Sequence, residues 1–224
     1  MIRASLAAVV LVSASMGSAQ AVTIGYSNCV AAPAGSGLTS CVAGAAVTTF
    51  DSTTLGTLPS GYAGNGAVRQ GSASGLYAQP GGPYSANAQG DDTPYLSVPS
   101  TGGNGTVTLT LGSAYNYFGL YWGSMDNYNT LKFYNGATLL ETVNGANVIT
   151  ALGLLGNQTN VGSNRYVDFN FGSVSFNRIE FTSNGYAFES DNHAVANVPE
   201  PGALALLGLG LVGVGFARRR RVTA

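Results

Sequence analysis

Alternation with a period of two carries most of the structural information in this chain. From Thr106 to Leu111, Val107, Leu109 and Leu111 fall on one side and the threonines on the other, the pattern of a strand with one buried face. Asn116 to Trp122 repeats it, with Phe118, Leu120 and Trp122 facing one way and Tyr115, Tyr117 and Tyr121 the other. Leu131 and Phe133 alternate up to Asn135-Gly136, a dipeptide suited to a type I′ turn, and Thr138 to Val143 follows, so this stretch predicts a hairpin. Val167, Phe169 and Phe171 alternate again. Val174 and Phe176 then change phase to Ile179 and Phe181, a slip that a β-bulge near Asn177 would absorb. Tyr186 to Val195 is the last predicted strand. Residues 56–105, rich in Gly, Ser, Ala, Pro and Gln, predict long loops with short strands at Ala67-Val68 and from Pro94 to Val98. Many short strands, Gly-rich turns and no internal repeat predict an all-β fold, a two-sheet antiparallel sandwich of the jelly-roll type.

The two ends break this pattern. Met1-Ile2-Arg3, an apolar run from Leu6 to Val12 and the small-residue exit Ala19-Gln20-Ala21 predict a signal helix over residues 1–21. At the other end, Gly202 to Ala217 carries no charge and precedes Arg218, Arg219, Arg220 and Arg221. Sixteen residues of helix span roughly 24 Å, short of the ~30 Å hydrocarbon core, but arginine stems extend the reach, so 202–217 is read as a transmembrane helix. The four arginines form a membrane stop that stays cytoplasmic, which places residues 22–197 outside the inner membrane as one secreted domain. Gly208 to Gly213 matches a dinucleotide-binding fingerprint, but no strand precedes it and no acidic residue follows, so it is set aside.

Composition narrows the function. With 45% hydrophobic and 10% aromatic residues the chain is too apolar for disorder throughout, and 32 glycines suit turns better than helices. A formal net charge of −1 excludes the basic field that nucleic-acid binding needs. The secreted part is acidic, with nine acidic against four basic residues. Cys29 and Cys41 stand as a pair in an oxidising compartment and are expected to form a disulfide.

Val198-Pro199-Glu200-Pro201, a short Gly/Leu-rich span and a terminal arginine cluster together resemble the PEP-CTERM sorting signal of Gram-negative bacteria, over residues 198–221. The resemblance implies recognition of Pro199, Glu200 and Pro201 by exosortase, an integral-membrane cysteine protease, and a precursor tethered to the inner membrane on its way to the cell surface or extracellular matrix. The prolines give this reading a physical basis, because they block helix and sheet ladder and leave an extended segment at the membrane face. A second resemblance rests on Tyr117 to Thr130, Phe133-Tyr134, Gly185 to Asn192 and Pro94 to Leu96. It is to exosortase-dependent surface proteins whose ectodomains are similar to jelly-roll carbohydrate-binding modules, and it implies an architecture rather than an activity.

Catalysis has little support. His193 is the one imidazole, no nucleophile elbow is present, and the expected disulfide removes both thiols from zinc binding. The chain is therefore read as a non-enzyme, a structural or glycan-interacting component of the envelope or biofilm matrix with exopolysaccharide as partner; the alternative is a carbohydrate-active enzyme on a jelly-roll scaffold. For sugars, Tyr121 and Tyr128 offer stacking faces and Asp126 and Asn127 offer hydrogen bonds, while Trp122 alternates with core positions and is expected inside. Glu189, Asp191 and His193 share one face of the last predicted strand. By analogy with jelly-roll modules that hold a structural Ca²⁺, the metal ligands would be Asp51, Glu189 and Asp191.

Overall fold

The computed structural model describes residues 22–32, 36–70, 76–79, 82–86, 93–123, 125–153 and 164–199. The signal helix, the transmembrane segment 202–217, Glu200, Pro201 and Arg218 to Arg221 lie outside the described residues. Among the described residues no helix is long and apolar enough to cross a membrane.

The strands in chain order are β1 (Thr23–Ser27), β2 (Cys29–Val30), β3 (Leu38–Thr39), β4 (Ala46–Thr48), β5 (Tyr62–Gly64), β6 (Ala67–Arg69), β7 (Leu76–Gln79), β8 (Gly82–Ala86), β9 (Tyr95–Val98), β10 (Gly105–Tyr115), β11 (Tyr117–Gly123), β12 (Asn129–Asn135) and β13 (Thr138–Asn144). After the helix α1 (Gly145–Leu152) come β14 (Arg165–Asn170), β15 (Phe176–Ser183) and β16 (Phe188–Ala196). They form an antiparallel sandwich. The large sheet has the order β1-β14-β11-β16-β9-β6, with β4 also paired to β16, and the second sheet has the order β13-β12-β15-β10-β5.

The alternating positions explain why the sheets pack. Phe118, Leu120 and Trp122 from β11 and Val167 and Phe169 from β14 meet Leu131 and Phe133 from β12 and Ile179 and Phe181 from β15. Phe118 sits 5.9 Å from the Phe133 ring and 6.0 Å from that of Phe181, both edge-on, and Trp122 meets Phe188 edge-on at 4.5 Å. Each such ring contributes about 1.5–3 kcal/mol by leaving water, so this layer dominates the stability. Trp122 is fully buried, as its alternation requires.

The predicted hairpin is present, but its turn is one residue on from the expected Asn135-Gly136: Asn135 pairs with Thr138, and Gly136, with φ +57°, and Ala137 make the turn. The phase change between Phe176 and Ile179 is also present, but the extra residues belong to the partner strand. Between Thr110 and Tyr115, β10 advances five residues while β15 moves only from Arg178 to Phe176, so the irregularity lies in β10 rather than at Asn177. The short strands expected at 67–68 and 94–98 pair as β6 and β9 and extend the large sheet.

The outer face of the large sheet is buried as well. Tyr95, Tyr117, Tyr121 and Tyr166 cluster there with Ala194, Ala196 and Leu38. The cover is the segment 36–42, which the Cys29–Cys41 disulfide ties to β2. Asn192 Nδ2 donates to the carbonyls of Ser36 at 2.7 Å and Leu38 at 3.0 Å, and Ser40 Oγ lies 2.7 Å from Tyr117 Oη. Asp168 closes the network, accepting from Ser27 Oγ at 2.5 Å and from Tyr117 Oη. Gly119 makes room for it, because a Cβ there would stand 2.6 Å from Tyr117 Oη and 2.7 Å from Tyr166 Oη.

Candidate functional site

Two regions carry the predicted functional residues: the exit of the chain towards the sorting signal, and the loops at the Gly123 end of β11. At the exit, Asn116 grips the backbone of Val198 twice, its Oδ1 accepting from Val198 N at 2.7 Å and its Nδ2 donating to Val198 O at 2.8 Å. Asn116 N also donates to Ala196 O at 3.3 Å. The globule is thus stitched shut up to Val198, and Pro199 is exposed immediately beyond.

At the loops, the sequence expectations divide. Asp126 and Tyr128 are half-buried and Asn127 is exposed. Tyr121 is fully buried beneath the 36–42 segment and presents no face to a sugar, a correction to its predicted role. Alternation places its ring on the outer face correctly; a cover distant in sequence removes it from solvent. Tyr128 Oη donates to Tyr186 O at 3.3 Å and Asn129 Nδ2 to Ala187 O at 3.2 Å, so the β11–β12 loop lies against the β15–β16 loop.

Along β16 the structure corrects the shared face of Glu189, Asp191 and His193. Tyr121 pairs with Asp191 but Gly119 pairs with Ala194, so Asn192 and His193 together face Leu120 in a bulge, with Asn192 at φ +50°. Asn tolerates that conformation better than most residues. Glu189 and Asp191 stay on the outer face, while His193 turns into the aromatic core. There it stacks on Phe181 at 4.9 Å between centroids and hydrogen-bonds Tyr62 Oη through Nδ1 and Ser190 Oγ through Nε2, both at 2.9 Å. Burial pushes its pKa down to about 3, so it stays neutral.

The three predicted metal ligands are not gathered. Asp51 is exposed in the turn after Phe50, whereas Glu189 and Asp191 are buried. Asp191 accepts from Asn192 N at 2.6 Å and from Thr93 Oγ1 at 3.2 Å. Among the described residues no group of three or more His, Cys, Asp or Glu stands ready to hold a metal ion. The charge that does reach Glu189 is that of Asp126. Burial first, and the Asp126 charge second, raise the Glu189 carboxyl well above its ordinary pKa. Sequence spacing gives no sign of this pair; its only local cue is that both residues sit beside loop glycines and aromatics.

Comparison with known proteins settles the tail. The model of the PEP-CTERM protein-sorting motif matches residues 197–221. The chain carries a PEP-CTERM sorting motif. That motif implies a secreted precursor anchored in the membrane, processing by exosortase and export to the surface. Its first residues overlap the Asn116 grip on Val198, and Pro199 follows at once. No curated protein matches the chain. Among solved structures, the K2 cleaved adhesin domain of Lys-gingipain is similar at 12% identity over 68% of this chain and 99% of that one, with a TM-score of 0.34.

Proposed function

We propose that this chain is a non-catalytic surface or extracellular-matrix protein of a Gram-negative envelope, whose jelly-roll ectodomain interacts with exopolysaccharide in the biofilm matrix. The observation that carries the reading is the sorting motif joined directly to the last strand of a folded sandwich. Strand order supports the jelly roll. Numbering β9, β10, β11, β12, β13, β14, β15 and β16 from one to eight, the large sheet contains the order 6-3-8-1 and the second sheet 5-4-7-2, the arrangement of two wound Greek keys.

The test uses the exported full-length chain and the extracellular polysaccharide of its own cells, immobilised on beads. Retention that soluble polysaccharide competes away is the expected result; no retention removes the glycan reading. Deletion of residues 199–221 is expected to abolish surface delivery, and a control anchor in the same place is expected not to restore it.

One observation favours a second reading. A buried carboxyl whose pKa is raised and which feels the charge of a second carboxylate is a combination that glycosidases use to divide acid from nucleophile or base. Release of reducing ends from the polysaccharide, lost in Glu189→Gln and Asp126→Asn, would make the chain a hydrolase rather than a binder.

A further inference from the structure

Three buried polar atoms without a hydrogen-bond partner converge on the outer face of the large sheet: Glu189 Oε2, Tyr186 Oη and Arg69 Nε. Strand register sets the place. Glu189 pairs with Ser97 of β9 on one side and with Gly123 of β11 on the other, and Ala67 of β6 pairs with Ser97, so Arg69 stands two residues along on the same face. Tyr186, in the loop entering β16, feels the charges of both Arg69 and Glu189 and lies beside Ser97. The Ser97 hydroxyl proton is already committed to Pro99 O at 3.1 Å. Arg69 sends one arm to Ser100 O and keeps Nε unused.

The surroundings form a floor and a rim. Glu189 is 3% exposed and makes the floor, whereas Arg69, Tyr186, Asp126 and Tyr128 are half-buried around it. The rim is held in place by the Tyr128 contact to Tyr186 O and by the Tyr128 ring, which would stand 2.8 Å from a Cβ on Gly185. Buried polar groups are ordinarily paired, so three orphans at one place ask for a missing partner. Its chemistry follows from theirs. A cation would be opposed by Arg69 and an anion by Glu189 and Asp126. A neutral ligand with adjacent hydroxyls can donate to Glu189 Oε2 while accepting from Arg69 Nε and Tyr186 Oη.

We propose that Glu189, Tyr186 and Arg69 form a subsite for one vicinal diol of a neutral glycan, with Asp126 and Tyr128 at its rim. The proposal rests on the glycan reading above and says where on the molecule it acts. It replaces Tyr121, buried under the 36–42 segment, with the half-buried Arg69 and Tyr186 above the buried Glu189.

The test compares Glu189→Gln and Tyr186→Phe with the parent full-length chain, exported and purified in detergent with its disulfide intact. The probe is the same immobilised exopolysaccharide, with methyl β-glucopyranoside and methyl α-mannopyranoside as soluble competitors. Each variant is expected to weaken retention about tenfold, the effect of one ligand hydrogen bond lost inside a desolvated site. Tyr26→Ala, on the distant edge strand β1, is expected to bind as the parent does. Tyr186→Phe removes a hydroxyl alone, so it decides the matter even where Glu189→Gln perturbs folding. If the parent is retained and both variants match it, the subsite is wrong and the glycan reading stands. If the parent is not retained, both fall.

Discussion

The large sheet has two faces built on different physics. The inner one is a layer of Phe, Trp, Leu and Val rings and branches held mainly by exclusion of water, with His193 paired to Tyr62 and Ser190 and Trp122 Nε1 left without a partner. The outer one buries four tyrosines with Asp191, Glu189 and Asn192 beside a half-buried Asp168, and each buried polar atom there has to be matched by a hydrogen bond or pay for its desolvation. Along the part of that face near β1 and β14 the matching is complete but for Asn192 Oδ1, through Ser27, Ser40 and the 36–42 backbone. Towards Gly123 it is not, and this difference separates the covered part of the face from the part offered to a ligand.

Breaking the inner face should cost most. Phe118 is fully buried among Phe133, Phe169, Phe181 and His193. Phe118→Ala is expected to lose about 3–5 kcal/mol in urea unfolding, because the second sheet cannot collapse into the space left by a ring. A loss under about 1 kcal/mol would mean that the layer is loosely packed.

The outer cover comes next. Replacing Cys29 and Cys41 by Ser is expected to remove about 3 kcal/mol through the freed loop. It should also raise the nitration of Tyr117, Tyr121 and Tyr166, which the 36–42 segment now shields. Unchanged tyrosine reactivity would show that the segment stays seated without its staple, and that the hydrogen bonds from Asn192 suffice.

Acid distinguishes the faces by sign. His193, on the inner face, has a folded pKa of about 3 against 6.5 unfolded, so its contribution is complete above pH 6.5 and is lost as pH falls from 6.5 towards 3. Glu189, on the outer face, is raised above 4.5, so its contribution is present below pH 4.5 and is lost as pH rises through its folded pKa. In a Glu189→Gln background the chain is expected to lose about 2 kcal/mol between pH 7 and pH 5 from His193 alone. With Glu189 present the opposing slope should shrink that loss. Equal slopes in the two chains would mean that Glu189 titrates as an exposed acid does.

Alternation made the inner face legible residue by residue, since Phe118, Leu120 and Trp122 needed only their spacing. The outer face was legible as a direction but not as an environment. Tyr117 and its cover at Ser40 are 77 residues apart, and no local pattern announces that contact. The bulge at Asn192 hid behind the same regularity, and moved His193 from the acidic face to the core. The helix α1 left a trace in the caps Asn144 and Gly153, but Val148, Ile149 and Thr150 between them speak as strongly for a strand. The tail was legible throughout because its three parts are linear in sequence and need no tertiary contact to be recognised.

The smallest expected effect lies at the seam where both faces begin. Asn116 precedes β11, and its side chain holds Val198 on one side and Gly172 O at 2.6 Å on the other. Val198 is half-buried whereas Gly172 is buried, so water replaces part of what Asn116→Ala removes, and the global loss is expected to be about 1 kcal/mol. The local loss should be larger. Hydrogen exchange at the Val198 amide is expected to rise to that of an open chain while the amides of Phe118 and Leu120 keep their protection. Because the sorting motif overlaps this point, the variant lengthens the extended segment available to exosortase without loosening the domain. Val198 exchange that follows the core amides instead would show that the exit opens only with the whole fold, and that Asn116 sets no boundary between the globule and its tail.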